Sequence, residues 1–161
     1  MKEYDKAWAK YQTGLNIVPT PLVCWDFQKE YVSEIARFKK FESNWETEVN
    51  FFEISKSQNK EMIITDKNFK IVFATHSISK MNGYHPNEMI GNSPSMLQGE
   101  NTSKSTKSAI KKALISQQPF KEVILNYKKN GKPYWCEIEA YPMFDKNGAF
   151  LNYIALEKLA S

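Results

Sequence analysis

Two Asn-Gly pairs, Asn130-Gly131 and Asn147-Gly148, constrain this chain more than any other feature. An Asn-Gly pair between β-rich runs favours a tight turn with positive φ, the connection of a β-hairpin. Here they separate three apolar and aromatic runs, at roughly 119–129, 132–144 and 149–158. The C-terminal third is therefore expected to be a three-stranded antiparallel meander. Upstream, Met62-Ile63-Ile64-Thr65 reads as a strand, Asp66-Lys67-Asn68 as a turn and Lys70-Ile71-Val72-Phe73-Ala74 as a second strand. Between the two β regions lie short helical pieces around Gly83 and Gly91. A longer helix is expected over 102–117, with Ala109, Ile110, Ala113 and Leu114 on one face. The order is two strands, helices, three strands, which makes the chain α+β.

The N-terminal part has a different pattern. Tyr4, Trp8 and Tyr11 recur at helical spacing, and Gly14 ends that segment. Thr20-Pro21 has the form of an N-cap followed by proline at the first helical position. Phe27, Tyr31, Ile35, Phe38 and Phe41 then form one helical stripe. Ser43-Asn44-Trp45-Glu46 matches a capping box, so a further helix is expected from there, with Trp45, Val49 and Phe52 on one face. This gives a helical extension over 1–56 and a domain over 57–161.

A chain of 161 residues with 42% hydrophobic residues can bury one core. The net charge of +4 comes from scattered lysines and indicates no nucleic-acid face. Only Cys24 and Cys136 are present, which fits a reducing compartment better than a disulfide framework. Met1-Lys2-Glu3-Tyr4-Asp5-Lys6 lacks a signal-peptide core, and no apolar run reaches the ~20 residues of a membrane helix. A soluble, cytoplasmic protein is expected. His76 and His85 have no ligand-spaced partner, so no metal site is expected. No nucleophile triad, phosphate loop or paired-carboxylate motif appears, so no catalytic residue is assigned.

Three stretches carry a family resemblance: Gly83-Tyr84-His85-Pro86-Asn87-Glu88-Met89-Ile90, Gly91-Asn92-Ser93-Pro94-Ser95-Met96-Leu97-Gln98-Gly99, and Asn126 through Trp135. In this order they resemble a PAS domain of the light-oxygen-voltage (LOV) kind over residues 60–159. The resemblance implies a five-stranded antiparallel sheet with helices against one face. In that family the second stretch reads Gly-x-Asn-Cys-Arg-Phe-Leu-Gln-Gly, and its cysteine bonds to flavin mononucleotide. Here Ser93 replaces the Asn, Pro94 the cysteine and Ser95 a phosphate-binding Arg. The second phosphate-binding Arg falls at Lys111. The two Asn residues that read the flavin ring fall at Asn126 and Cys136, and the signalling Gln of the last strand falls at Glu157. Gln98 and Asn126 alone stand unchanged among these positions.

The resemblance thus implies a pocket bordered by Gln98, Lys111, Asn126, Cys136 and Glu157, with most flavin contacts gone. No flavin is expected as a resident cofactor, although an unknown small ligand is compatible with the pocket. Gln98 and Asn126 have an alternative role in tying the helical connection to the sheet. Glu157 either points inward or bends out to solvent. The resemblance places Asn126 inward, so strand alternation puts Ile124 inward with it and leaves Val123, Leu125, Tyr127, Trp135, Tyr141, Ile154 and Leu156 on the outer face. Such a face needs a cover, from the N-terminal helices or from a second subunit. A homodimer in which the helices take part is favoured, and a signalling protein is a further possible partner. The functional expectation is a non-enzymatic sensory or interaction module without cysteine-adduct photochemistry. The alternatives are a flavin-dependent redox sensor and a purely structural dimerisation domain.

Overall fold

The structure, a computed structural model, describes residues 22–160. The expected helix over Tyr4, Trp8 and Tyr11 and the Thr20-Pro21 start lie outside the described residues. The element order is α1 (Leu22–Glu42), α2 (Phe51–Ser57), β1 (Glu61–Thr65), β2 (Ile71–Ala74), α3 (Ile78–Asn82), α4 (Pro86–Met89), a 3-10 turn (Pro94–Leu97), α5 (Lys104–Ile115), β3 (Phe120–Tyr127), β4 (Pro133–Phe144) and β5 (Phe150–Leu159). Residues from Glu34 onward form one compact unit, and the part of α1 before it belongs to a separate one. No helix among the described residues is long and apolar enough to cross a membrane.

The five strands form one antiparallel sheet in the order β2-β1-β5-β4-β3. The meander forms as expected. Gly131 and Gly148 take φ of 80° and 78°, which the Asn-Gly turns require. The chain closes with Lys128 N–H donating to Lys132 O at 2.9 Å and Asp145 N–H to Ala149 O at 2.9 Å. The Asp66 carboxylate accepts from the Asn68 and Lys70 amides and so fixes the turn between β1 and β2.

The sheet buries two clusters, one on each face. On the outer face Phe38 of α1, Trp45, and Phe51 and Phe52 of α2 pack with Met62, Ile64, Phe73, Ile154 and Leu156. Phe38 lies 5.5–6.1 Å, centroid to centroid, from the rings of Trp45, Phe52 and Phe73. The cover over β2, β1 and β5 is thus intramolecular. Of the expected stripe, Ile35, Phe38 and Phe41 take part, while Tyr31 is 37% exposed. The cover stops short of β3 and much of β4. Val123 and Trp135 remain 46% and 56% exposed, so the expected match between the helix and Trp135 does not form. Ion pairs occupy part of that surface instead: Lys60–Glu139 at 2.6 Å, Lys121–Glu139 at 2.5 Å and Lys121–Glu137 at 3.2 Å.

The helix expected from Ser43 starts later, at Phe51, with Asn50 as its cap accepting from the Glu53 amide at 3.1 Å. Ser43 and Asn44 turn back and donate to Lys40 O, closing the end of α1. Trp45 lies in the intervening segment and donates its indole N–H to Asn152 Oδ1 at 3.1 Å, while Glu46 N–H donates to Phe144 O. These tertiary bonds hold 45 and 46 outside a helix, which overrides the local capping pattern. Val49, expected on the apolar face, is exposed for the same reason.

Candidate functional site

The inner face of the sheet does not close against the helices. Between them lies a cavity of about 400 Å³, within the range that takes small molecules. Its floor is formed by alternate residues of four strands: Ile63 and Thr65 of β1, Ile124 and Asn126 of β3, Ile138 and Ala140 of β4, and Tyr153, Ala155 and Glu157 of β5. Its walls are Phe69 and the segment Ser93 to Gln98. Lys107, Ile110, Lys111 and Leu114 of α5 face it from above. No residue of α5 is fully buried, although Ile110, Ala113 and Leu114 are half-buried. Ala109, expected on that inner face, is exposed.

Local chemistry sets each wall. Ser93 is the N-cap of the 3-10 turn, and its hydroxyl accepts from the Ser95 amide at 3.4 Å. Pro94 occupies the first helical position, where a missing N–H costs nothing. Ser-Pro-Ser is therefore a sound turn start, and it puts a pyrrolidine ring on the cavity wall in place of a thiol. Past Gln98, Gly99 lies against the Tyr127 ring; a Cβ there would sit 2.4 Å from a ring carbon. Thr102 accepts from Gly99 N–H and donates to Leu125 O at 2.7 Å, which anchors the approach to α5 on β3. At the other end of α5 the Tyr153 hydroxyl lies 3.1 Å from Ala113 O and 3.0 Å from Gln118 O.

The structure brings Gln98, Lys111, Asn126 and Glu157 to one cavity. Cys136 is the exception. It is fully buried, but it packs in the inner core beside the cavity and does not line it. In the register Glu157 faces Ile138, and Cys136 faces Leu159 nearer the sheet end. Cys136 is thus the diagonal neighbour of Glu157, and its thiol approaches Glu157 Oε2 at 3.7 Å.

Glu157 points inward and is 3% exposed. Burial pushes its carboxyl up to about 7; the Cys136 thiol works against that, and the Glu61 charge adds to it. Glu61 stands directly opposite on β1, where it accepts from the Thr75 and Ser77 hydroxyls. The Cys136 thiol and the Tyr134 phenol are both pushed well above their ordinary ranges, first by burial and then by the Glu157 charge. Neither is an available nucleophile.

Two polar groups escaped the sequence reading. The Thr65 hydroxyl lines the cavity buried and without a partner. The Tyr134 hydroxyl is likewise unpartnered; the Asn126 amide is near enough to influence it, but no hydrogen bond closes between them. Strand parity offers a signal for these groups: Ile63 leads to Thr65, and Cys136 leads to Tyr134. His76 and His85 meet edge to face at 5.6 Å, with no metal-binding group of three ligands among the described residues.

The pattern of the PAS domain family matches residues 59–158. The blue-light-activated histidine kinase of Brucella abortus is 32% identical over 97 residues, covering 58% of this chain and 20% of that protein. Protein TWIN LOV 1 of Arabidopsis thaliana is 33% identical over 88 residues, covering 54% of this chain and 22% of that protein. The chain thus aligns with about a fifth of the length of these curated relatives. Among solved structures, the dark structure of the blue-light photoreceptor Aureochrome1 LOV superposes with a TM-score of 0.65 at 21% identity, covering 72% of this chain and 86% of that one. The LOV domain of an Erythrobacter litoralis blue-light-activated histidine kinase gives 0.60 at 20%, covering 63% and 96%. The sheet order, the helices on its inner face and the match across residues 59–158 agree: the chain belongs to the PAS domain family, with LOV domains among its relatives.

Proposed function

We propose that this protein is a non-enzymatic PAS sensory module that binds a small molecule in the inner cavity and works without a cysteine–flavin adduct. The observation that carries this reading is the cavity itself. It is open, mostly apolar, and has Gln98, Asn126 and Glu157 on its walls, while Pro94 occupies the position of the family's reactive thiol. A cavity that side chains leave unfilled weighs against a purely structural dimerisation domain. A ligand that binds only the folded form raises the melting temperature, so its effect is directly measurable. The open strip of the outer face at Val123 and Trp135 is where we place contact with a second copy or a signalling protein.

The test is illumination of the purified protein with excess flavin mononucleotide. No reversible loss of the flavin's blue absorbance is expected, because no thiol stands at the 94 position. Reversible bleaching with adduct formation overturns the reading. Retention of Gln98 and Asn126 favours a second reading, a flavin redox sensor that needs no adduct. Flavin that co-purifies with the protein and is reduced in place selects that reading over the first.

A further inference from the structure

The inner wall of the cavity has an unsatisfied acceptor. Glu157 lines the cavity and is almost completely buried. Its hydrogen-bond contact among the described residues is the Cys136 thiol at 3.7 Å, a weak donor. A carboxylate offers about four acceptor positions, so most of its capacity is unmet by the one thiol contact. Among the described residues no cation pairs with it. The charged group opposite it in the sheet is another carboxylate, Glu61, whose Oε2 is already engaged by Thr75 and Ser77. A buried charge left in this state is costly unless a partner arrives.

We infer that the cavity takes a small, mainly apolar molecule whose inner end carries paired N–H donors or a cationic amidine or amine, seated on the Glu157 carboxylate. This rests on reading the cavity as a ligand site. An amidinium fork matches a carboxylate with two parallel charge-assisted N–H···O bonds, the strongest geometry available to a side chain of this kind. The Asn126 amide, also buried and lining the cavity, supplies one more acceptor and a donor beside it. Ile124, Ile138 and Ala155 give the apolar body its contact surface. A Gln at the 157 position would present one donor and one acceptor; ionised Glu presents acceptors alone. The substitution therefore selects a different molecular edge.

Groups of both signs surround Glu157, and burial dominates among the causes of its shift. Cys136 and Tyr134 of β4, Tyr153 of β5, Glu61 of β1, Glu122 beyond Ile138 in the same cross-strand row, and Lys107 and Lys111 of α5 are the titratable groups around Glu157. Burial holds the empty-cavity carboxyl near 7. A bound cation favours the ionised form, so binding tightens as pH rises through that value, and binding below it releases a proton.

The probes are benzamidine, benzamide and benzoate, titrated into the full chain by calorimetry and by two-dimensional NMR. At a pH of about 8, benzamidine is expected to bind roughly ten- to a hundred-fold more tightly than benzamide, with benzoate weakest. In Glu157→Gln, with its fold checked by circular dichroism, that advantage falls below about three-fold, and it shrinks likewise in the parent at a pH of about 5.5. Equal binding of benzamidine and benzamide to the parent overturns the inference, as does an advantage that survives Glu157→Gln. If benzamide binds and shifts Ile124 and Ile138 but the amidine gains nothing, the cavity remains a ligand site and the donor-bearing head is wrong. If none of the three binds, both readings fall.

Discussion

Replacing Glu157 by Gln isolates the energetic cost of a buried carboxylate. The two side chains have nearly the same shape, and only one of them titrates. In the folded protein the Glu157 carboxyl is raised from its ordinary 4.5 to about 7, chiefly by burial. Between these values the folded chain holds a proton that the unfolded chain has released. Stability then falls as pH rises, by about 1.4 kcal/mol per pH unit. Over that interval the parent loses about 3 kcal/mol that the Gln variant keeps. Groups that do not touch Glu157, such as Glu139 with its lysine partners, are common to both proteins and largely cancel in the difference. Urea denaturation of both proteins at several pH values between about 4.5 and 8 reads it directly. The variant's advantage should grow across the window and level off above about 7.5. A difference that stays constant from acid to mild alkali refutes the argument, because it means Glu157 is as well solvated in the folded chain as in the unfolded one.

Deleting residues 1–56 removes Phe38, Trp45, Phe51 and Phe52 from the outer cluster and bares Met62, Ile64, Phe73, Ile154 and Leu156. Aggregation or a larger mass by light scattering is expected, and an unchanged soluble species of equal stability contradicts the packing described. Gly99→Ala drives a methyl into the Tyr127 ring and should cost about 1–3 kcal/mol in thermal or urea unfolding, with relief by Tyr127→Ala in the same chain. Cys136→Asn with Glu157→Gln puts one amide beside the cavity at 136 and another on its floor at 157. It should raise affinity for flavin mononucleotide above the parent's, measured by fluorescence quenching, though Pro94 still precludes an adduct. No gain means the cavity is closed to a flavin by its shape.

The strands were readable because their signals are local. An Asn-Gly turn states its own geometry, and once the family resemblance sets Asn126 inward, strand parity places Ile124 with it; the side chain of Glu157 was left open between the pocket and solvent. The start of α2 was not readable in that way. Ser43-x-x-Glu46 and Asn50-x-x-Glu53 both have the form of a cap, and the choice between them is made by the Trp45 bond to Asn152 and the Glu46 bond to Phe144. Those partners lie about a hundred residues away in sequence. Cys136 shows a subtler limit: its face was right, but its distance along the sheet depends on the register of β4 against β5, which sets it opposite Leu159. The extent of the helical cover was also beyond the pattern, since a stripe of aromatics shows that a surface is buried and not which strands bury it. Nor does any residue pattern reveal that the space under α5 is empty.

Helix α5 is held at its ends and only lightly packed in its middle, where Ile110 rests on the inner cluster. Thr102 fastens the approach to it at Leu125, Tyr153 fastens its exit at Ala113 and Gln118, and no side chain between them is fully buried. Mechanically it is a beam resting on two supports with little load on its span. Bowing that span outward leaves both end bonds in place and uncovers little of the core, so the work of making room is small compared with unfolding a helix that is packed along its length. On the proposed reading of the cavity as a ligand site, the size of guest it takes is set by the compliance of α5 as well as by the volume at rest. A larger guest stiffens the beam without altering the sheet beneath it, and amide exchange along Lys107–Leu114 is where that stiffening becomes visible.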